Sequence, residues 1–235
     1  MRLIAVETSG LYGGIALADG PRILEEVRLT EGLRHARDLL VVVRDACERA
    51  GWRPREVEAV AVSIGPGSFT GLRVSVMFAK IVAWDTGAKV VTVPTLRALA
   101  ENAPADRTHV ATVLDAKRYG LYTSLFERRG GEVIEAFGPM CLAPQALAER
   151  LPAGTFVLGR GITVAREALA RFDLAPDALW DVRPSVVARM GLEKLERGDP
   201  SAGSGQALAD PLRLEPVYLR KPEAEEIWER RKGSD

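Results

Sequence analysis

Apolar residues run together over positions 3–6 and again over 14–17, a Gly-Pro turn follows at Gly20 and Pro21, and a further strand-like run lies near 25–29. This spacing predicts an antiparallel meander. A helical pattern over 35–50 ends at Gly51, and a short apolar run at 59–64 runs into Gly65-Pro66-Gly67. A second helix over 69–85 stops before Gly87, and the β-branched run 89–93 precedes Pro94. The first half therefore reads as three strands, helix, strand, helix, then one more strand and helix. The second half offers strands at 110–114, 121–126, 132–137 and 155–158. Its helices are expected after Pro144, over 162–171 and over 185–197.

The two halves open alike. Ile4-Ala5-Val6-Glu7 leads through a turn to Gly13-Gly14-Ile15-Ala16, and Thr112-Val113-Leu114-Asp115 leads through a turn to Gly120-Leu121-Tyr122-Thr123. Each opening is a strand ending in a carboxylate, a short turn, and a glycine at the head of the next strand. Internal duplication accounts for this most economically, the alternative being chance similarity of two hairpins. Two lobes follow, one at 1–103 with a C-terminal return at 212–235 and one at 104–211. Residues 198–211 have a linker's Gly, Ser, Ala and Asp content, and the charged tail from Lys221 reads equally as a solvated helix or as disorder.

Both early helices carry more apolar surface than one sheet can cover. Val74 to Ala79 has no charge, Ile81-Val82-Ala83-Trp84 follows Lys80, and Leu39-Leu40-Val41-Val42-Val43 spans more than one helical face. Either a neighbouring helix of the same chain covers the excess or another protein does. A helical wheel selects His35, Leu39, Val42, Val43 and Ala46 on the first helix and Gly71, Val74, Ser75, Phe78 and Val82 on the second as the face offered to a partner. Uncovered, such a pair is costly in water, so a homodimer is expected when the chain is alone.

At 235 residues and 47% hydrophobic content the chain can bury a sizeable core. Lys plus Arg and Asp plus Glu both number 32, so no global field attracts an RNA backbone. Cys47 and Cys141 show neither CxxC spacing nor disulfide density and read as two buried thiols in a reducing compartment. A short N-terminal apolar run interrupted by Glu7, and no window approaching a membrane span, place the chain in the cytoplasm. The usual catalytic constellations are missing. His35 and His109 are the only histidines, and there is no HxxxH or HExxH pair, GxSxG elbow or Walker A loop.

Gly65-Pro66-Gly67-Ser68-Phe69-Thr70-Gly71-Leu72-Arg73 sits between a strand and a helix. It reads either as a structural turn, with Ser68 or Thr70 capping the helix, or as an anion- or nucleotide-facing loop together with Glu7, Thr8, Ser9 and Asp115. A nucleotide held there could also be only regulatory.

That nonapeptide, with Leu3-Ile4-Ala5-Val6-Glu7-Thr8-Ser9, Asp115-Ala116-Lys117-Arg118 and Glu215-Pro216-Val217-Tyr218-Leu219-Arg220, resembles the bacterial TsaB (YeaZ) family, in the family's order from the N-terminus to residue 220. The resemblance implies an α/β fold of the actin-like ATPase (ASKHA, ribonuclease H-type) class, two related lobes with mixed sheets. It also implies a non-catalytic scaffold that pairs with the catalytic TsaD through its first two helices and is joined by the ATPase TsaE. The complex transfers threonylcarbamoyl to N6 of adenosine 37 in tRNAs reading codons that begin with A. By the same resemblance tRNA is met only through the complex, no cofactor belongs to this chain, and ATP and metal reside in the partners. Thr95 and Leu99 stand where TsaD carries its HxxxH metal pair, and neither replaces imidazole. Where actin-like ATPases carry an Asp with a Gly-Thr nearby, this chain has Glu7-Thr8-Ser9. The competing expectation is an autonomous actin-like ATPase or a peptidase-like enzyme, with Glu7 and Asp115 facing each other across the cleft.

Overall fold

The computed structural model describes residues 1–29, 35–198 and 213–220. The linker and the charged tail read from the sequence lie outside the described residues, except Gly198. The first half forms β1 (Arg2–Glu7), β2 (Gly14–Asp19), β3 (Arg22–Arg28), α1 (His35–Arg49), β4 (Ala59–Ser63), α2 (Phe69–Thr86), β5 (Lys89–Val93) and α3 (Thr95–Ala100). The second half repeats that order with β6 (His109–Asp115), β7 (Leu121–Arg129), β8 (Glu132–Leu142), α4 (Pro144–Arg150), β9 (Phe156–Leu158), α5 (Ile162–Ala165), β10 (Asp173–Leu174) and α6 (Pro184–Arg197).

The sheets match as well. One has the order β3-β2-β1-β4-β5 and the other β8-β7-β6-β9-β10, read from the equivalent edge. In each the central strand pairs antiparallel with the following strand and parallel with the strand after the first helix. Repetition of both order and pairing makes the two halves a structural repeat, as an internal duplication leads one to expect, and the architecture is the actin-like, ribonuclease H-type fold. Glu7 and Asp115 end equivalent central strands, opposite Gly14 and Leu121.

Alternation along the buried strands sends the two faces of the first sheet to different helices. Ile4, Val6, Ile15, Leu17, Val60 and Val62 pack with α1 and α2. The opposite face is small, with Ala5, Ala16, Ala18, Ala59 and Ala61, and packs with Val186, Val187, Ala188 and Leu192 of α6. Small residues let that helix approach closely, since a Cβ on Gly191 would lie 2.7 Å from the Ala61 Cβ. This placement departs from the division at residue 104, because α6 follows the second lobe in sequence yet covers the first sheet. Conversely, Leu96, Leu99 and Ala100 of α3 join the core of the second sheet. Arg128 on β7 fixes α3 there by donating to the carbonyls of Ala100, Ala103 and Pro104. The lobes are related, but each is completed by the other's third helix.

Among the described residues no helix is long and apolar enough to cross a membrane. Cys47 is buried as expected, whereas Cys141 on the edge strand β8 is half-buried.

Candidate functional site

Helices α1 and α2 lie side by side on one face of the first sheet, and α2 starts where the Gly-Pro-Gly segment leaves β4. Ser68 caps it by accepting from Gly71 N–H, and Gly87 ends it in the left-handed conformation at φ 75°. The segment is packed shut against the turn after β1. Ser68 N–H donates to the Ser9 carbonyl at 2.7 Å, and Thr8 Oγ1 donates to the Gly71 carbonyl at 2.7 Å. A Cβ on Gly67 would stand 2.5 Å from the Ser9 carbonyl oxygen. Gly65 and Thr95 exchange two hydrogen bonds at 3.0 Å, one through Thr95 Oγ1, while Leu99 is buried in the second core. Gly65, Gly67 and Ser68 thus hold adjoining turns together, and Thr95 and Leu99 have internal contacts of their own.

The C-terminal return adds a strap over the same corner. Val217 N–H donates to the Ile64 carbonyl at 2.8 Å, and Tyr218 stacks on Phe69 with centroids 4.8 Å apart. Arg73 covers the other side of this pair, 3.9 Å from the Phe69 ring and 3.3 Å from the Tyr218 hydroxyl.

The helix face chosen by the wheel needs correcting. Leu39, Ala46, Gly71, Ser75 and Phe78 are buried within the lobe, and Val42, Val43, Val74 and Val82 are half-buried against the same core. Of His35 only the backbone is described, as the first residue of α1. The surface beyond the core carries Leu40 and Val41 on α1, with Met77, Ile81 and Trp84 on α2 at helical spacing. Trp84 is 83% exposed and Leu40 64%. Scattered single exposed apolar residues are ordinary, whereas Met77, Ile81 and Trp84 recur at the spacing of one helical face.

The expected carboxylate pair is also differently disposed. Glu7 is 1% exposed, and its Oε1 accepts from both the backbone N–H and the hydroxyl of Ser9. Ser63 Oγ stands near enough to favour the charged form, but neither it nor Glu7 Oε2 completes a hydrogen bond of ordinary geometry. Burial dominates and pushes the Glu7 carboxyl above its ordinary value, helped by the charge of Asp181 rather than of Asp115. Asp115 is half-exposed and accepts from Lys117 N–H at 2.6 Å and Lys117 Nζ at 3.1 Å. A cavity of about 480 Å³ lies between α3, α6 and the β7–β8 hairpin, lined by Leu96, Phe126, Met190 and Lys194 among others, and not by Glu7, Thr8, Ser9 or Asp115.

A carboxyl raised by folding holds its proton more tightly in the folded chain than in the unfolded one. Its stability contribution is present below the unfolded carboxyl's pKa and is lost as pH rises through the folded pKa. Glu7→Gln should therefore stabilise the protein by about 1 kcal/mol at pH 8, where the parent must either bury a charge or hold a proton that the unfolded chain releases. The advantage over the parent should shrink as pH falls toward 4 in thermal melts.

Among the described residues no group of three His, Cys, Asp or Glu side chains converges as a metal site. His109 meets Thr108 Oγ1 at 3.3 Å and Glu127 at 3.9 Å, with no serine nucleophile in those contacts.

A family model described as TsaD, tRNA N6-adenosine threonylcarbamoyltransferase, matches residues 29–171. The tRNA threonylcarbamoyladenosine biosynthesis protein TsaB of Bacillus subtilis is 25% identical over 97% of this chain and 98% of its own length. That of Escherichia coli is 26% identical over the full length of both. Among solved structures, YeaZ from Pseudomonas aeruginosa superposes with a TM-score of 0.76 at 27% identity, covering 93% of this chain and 99% of that one.

Proposed function

The chain belongs to the family of tRNA N6-adenosine threonylcarbamoyltransferases, among its TsaB members, and from that premise we propose that it serves threonylcarbamoyladenosine formation as a non-catalytic subunit. In this reading it docks on a TsaD-type transferase through the outer face of α1 and α2, and a TsaE-type ATPase joins that pair. The transferase carries the chemistry, the metal and the contact with tRNA.

The observation that carries the proposal is the exposure of five large apolar residues on these two helices, Leu40 and Val41 on α1 and Met77, Ile81 and Trp84 on α2. A tryptophan exposed on the same helix face as a methionine and an isoleucine is the composition of an interface centre. Thr95 and Leu99 at the positions matching TsaD's metal pair support the non-catalytic half of the reading. Without the transferase, the same face is expected to pair with a second copy of this chain.

Mixing the purified chain with the transferase of the same organism tests this by light scattering. A one-to-one complex is expected, with the homodimer disappearing in sedimentation as the transferase is added. No complex, even with ATP and the TsaE-type ATPase present, would shift the reading to an independent enzyme. Buried Glu7 is the one observation favouring that rival, since strongly perturbed carboxyls often mark active sites. ATP hydrolysis by the isolated chain, abolished in Glu7→Ala, would establish it.

A further inference from the structure

One connected set of side chains joins the two lobes. Tyr12, in the turn after β1, has the Arg28 guanidinium 3.8 Å from its ring centroid and the Arg160 guanidinium 4.8 Å from it. Arg28 ends β3 of the first sheet, and Arg160 follows β9 of the second. Both converge on Asp181. Arg28 donates to Oδ2 at 2.9 Å, and Arg160 makes a two-pronged pair at 2.5 and 2.7 Å. Asp181 lies between the second lobe and α6, and its backbone is fixed independently of its carboxylate. Asn102 Nδ2 donates to the carbonyls of Asp181 at 2.7 Å and Leu179 at 3.1 Å, while Asn102 Oδ1 accepts from Arg183 Nε at 3.1 Å.

Glu7 stands at the same level of the first sheet as Arg28, because it pairs with Gly14 on β2 and Gly14 pairs in turn with Arg28 on β3. The Glu7 carboxyl is buried with the Ser63 hydroxyl near it, yet neither Glu7 Oε2 nor Ser63 Oγ completes a hydrogen bond of ordinary geometry. Buried polar atoms are rarely left so, and each such pair asks for an explanation. We propose that Asp181 pins a clasp, formed with Arg28, Arg160 and Tyr12, that holds the two lobes closed over Glu7 and Ser63. Release of this clasp, rather than rearrangement inside either lobe, admits water and solutes to that carboxyl. The Asp181 charge also reaches Glu7, which ties the buried group to the pin. Removing the charge of Asp181 takes the electrostatic pull from both guanidinium groups while Asn102 still holds the backbone.

Carboxyl footprinting of the full chain with a water-soluble carbodiimide and an amine, read by peptide mass spectrometry, tests the clasp. In Asp181→Asn, Glu7 should label about tenfold faster than in the parent, with amide exchange rising at 10–14 and 159–161 while β1, β4 and β6 keep their protection. Arg28→Gln, which cuts one leg at a largely exposed residue, should give a smaller rise of the same pattern. That variant decides the matter if Asp181→Asn does not fold. Glu7 labelling at the parental rate would overturn the clasp, as would a rise accompanied by equal loss of protection throughout the central strands.

Discussion

Gly71→Ala should destabilise the protein by about 3 kcal/mol, lowering the melting temperature by about 10 °C for a chain of this size. In an ordinary helix interior the same change is favourable by about 1 kcal/mol, because alanine has the higher helix propensity. Here a Cβ would fall 1.7 Å from the Thr8 carbonyl oxygen and 2.9 Å from its carbon. The obstacle is backbone, so no side-chain rotamer relieves it. Thr8 Oγ1 also donates to the Gly71 carbonyl, so moving α2 outward sacrifices that bond as well. Denaturant unfolding measures the loss. A variant as stable as the parent would mean that α2 does not seat on the turn after β1 as described.

Ile81→Asp should weaken binding to the TsaD-type transferase at least about 100-fold and leave stability within about 0.5 kcal/mol of the parent. Ile81 is exposed, with Met77 one turn before it and Trp84 one turn after, so its replacement removes no internal packing. In a docked interface the new carboxylate would be desolvated without a partner, a cost comparable to losing a central anchor. Phe78→Asp provides the contrast. Phe78 belongs to the lobe's own core, so a charge there should unfold the lobe and abolish binding without reporting on the face. Calorimetric titration with circular dichroism of both variants separates the outcomes.

The contrast between Ile81 and Phe78 also shows why sequence reasoning found the helices but missed their outer face. A helix whose apolar residues lie on every side has no periodic signal to say which side meets the sheet. In α2 that choice comes from Gly71 pressing on Thr8 and from Ser68 bonding to Ser9, contacts between residues far apart in the chain. The run Leu39 to Val43 poses the same problem, and there Leu39 turns inward while Leu40 and Val41 face out. Strands were easier to read, because β1, β4 and β5 are apolar on both faces and end at Gly or Pro signals or at Glu7.

The lobe division at residue 104 separates each third helix from the sheet it packs on, for a related reason. Nothing local in Pro184–Arg197 distinguishes its own sheet from the other lobe's, and its destination depends on Gly191 matching the alanine face of the first sheet. Strand β10 is only Asp173–Leu174, too short for a pattern. The helix expected over 162–171 is a single α-helical turn at Ile162–Ala165, continued by bonds such as Ala170 N–H to Glu167 and Phe172 N–H to Leu169. The clasp at Asp181 left no sequence signal, since Tyr12, Arg28, Arg160 and Asp181 meet only through the fold.

Of the four tryptophans Trp228 lies outside the described residues, and the other three offer the most direct test of docking by the α1–α2 face, because Trp84 is exposed whereas Trp52 and Trp180 are buried. Fluorine NMR of the chain labelled with fluorotryptophan, titrated with unlabelled transferase and with Trp84 and Trp228 assigned through Trp84→Phe and Trp228→Phe, separates the exposed ring from the two buried ones. A Trp84 resonance that shifts as the complex forms, while those of Trp52 and Trp180 hold their positions, is the predicted result. A complex that forms with the Trp84 resonance unmoved would contradict the account.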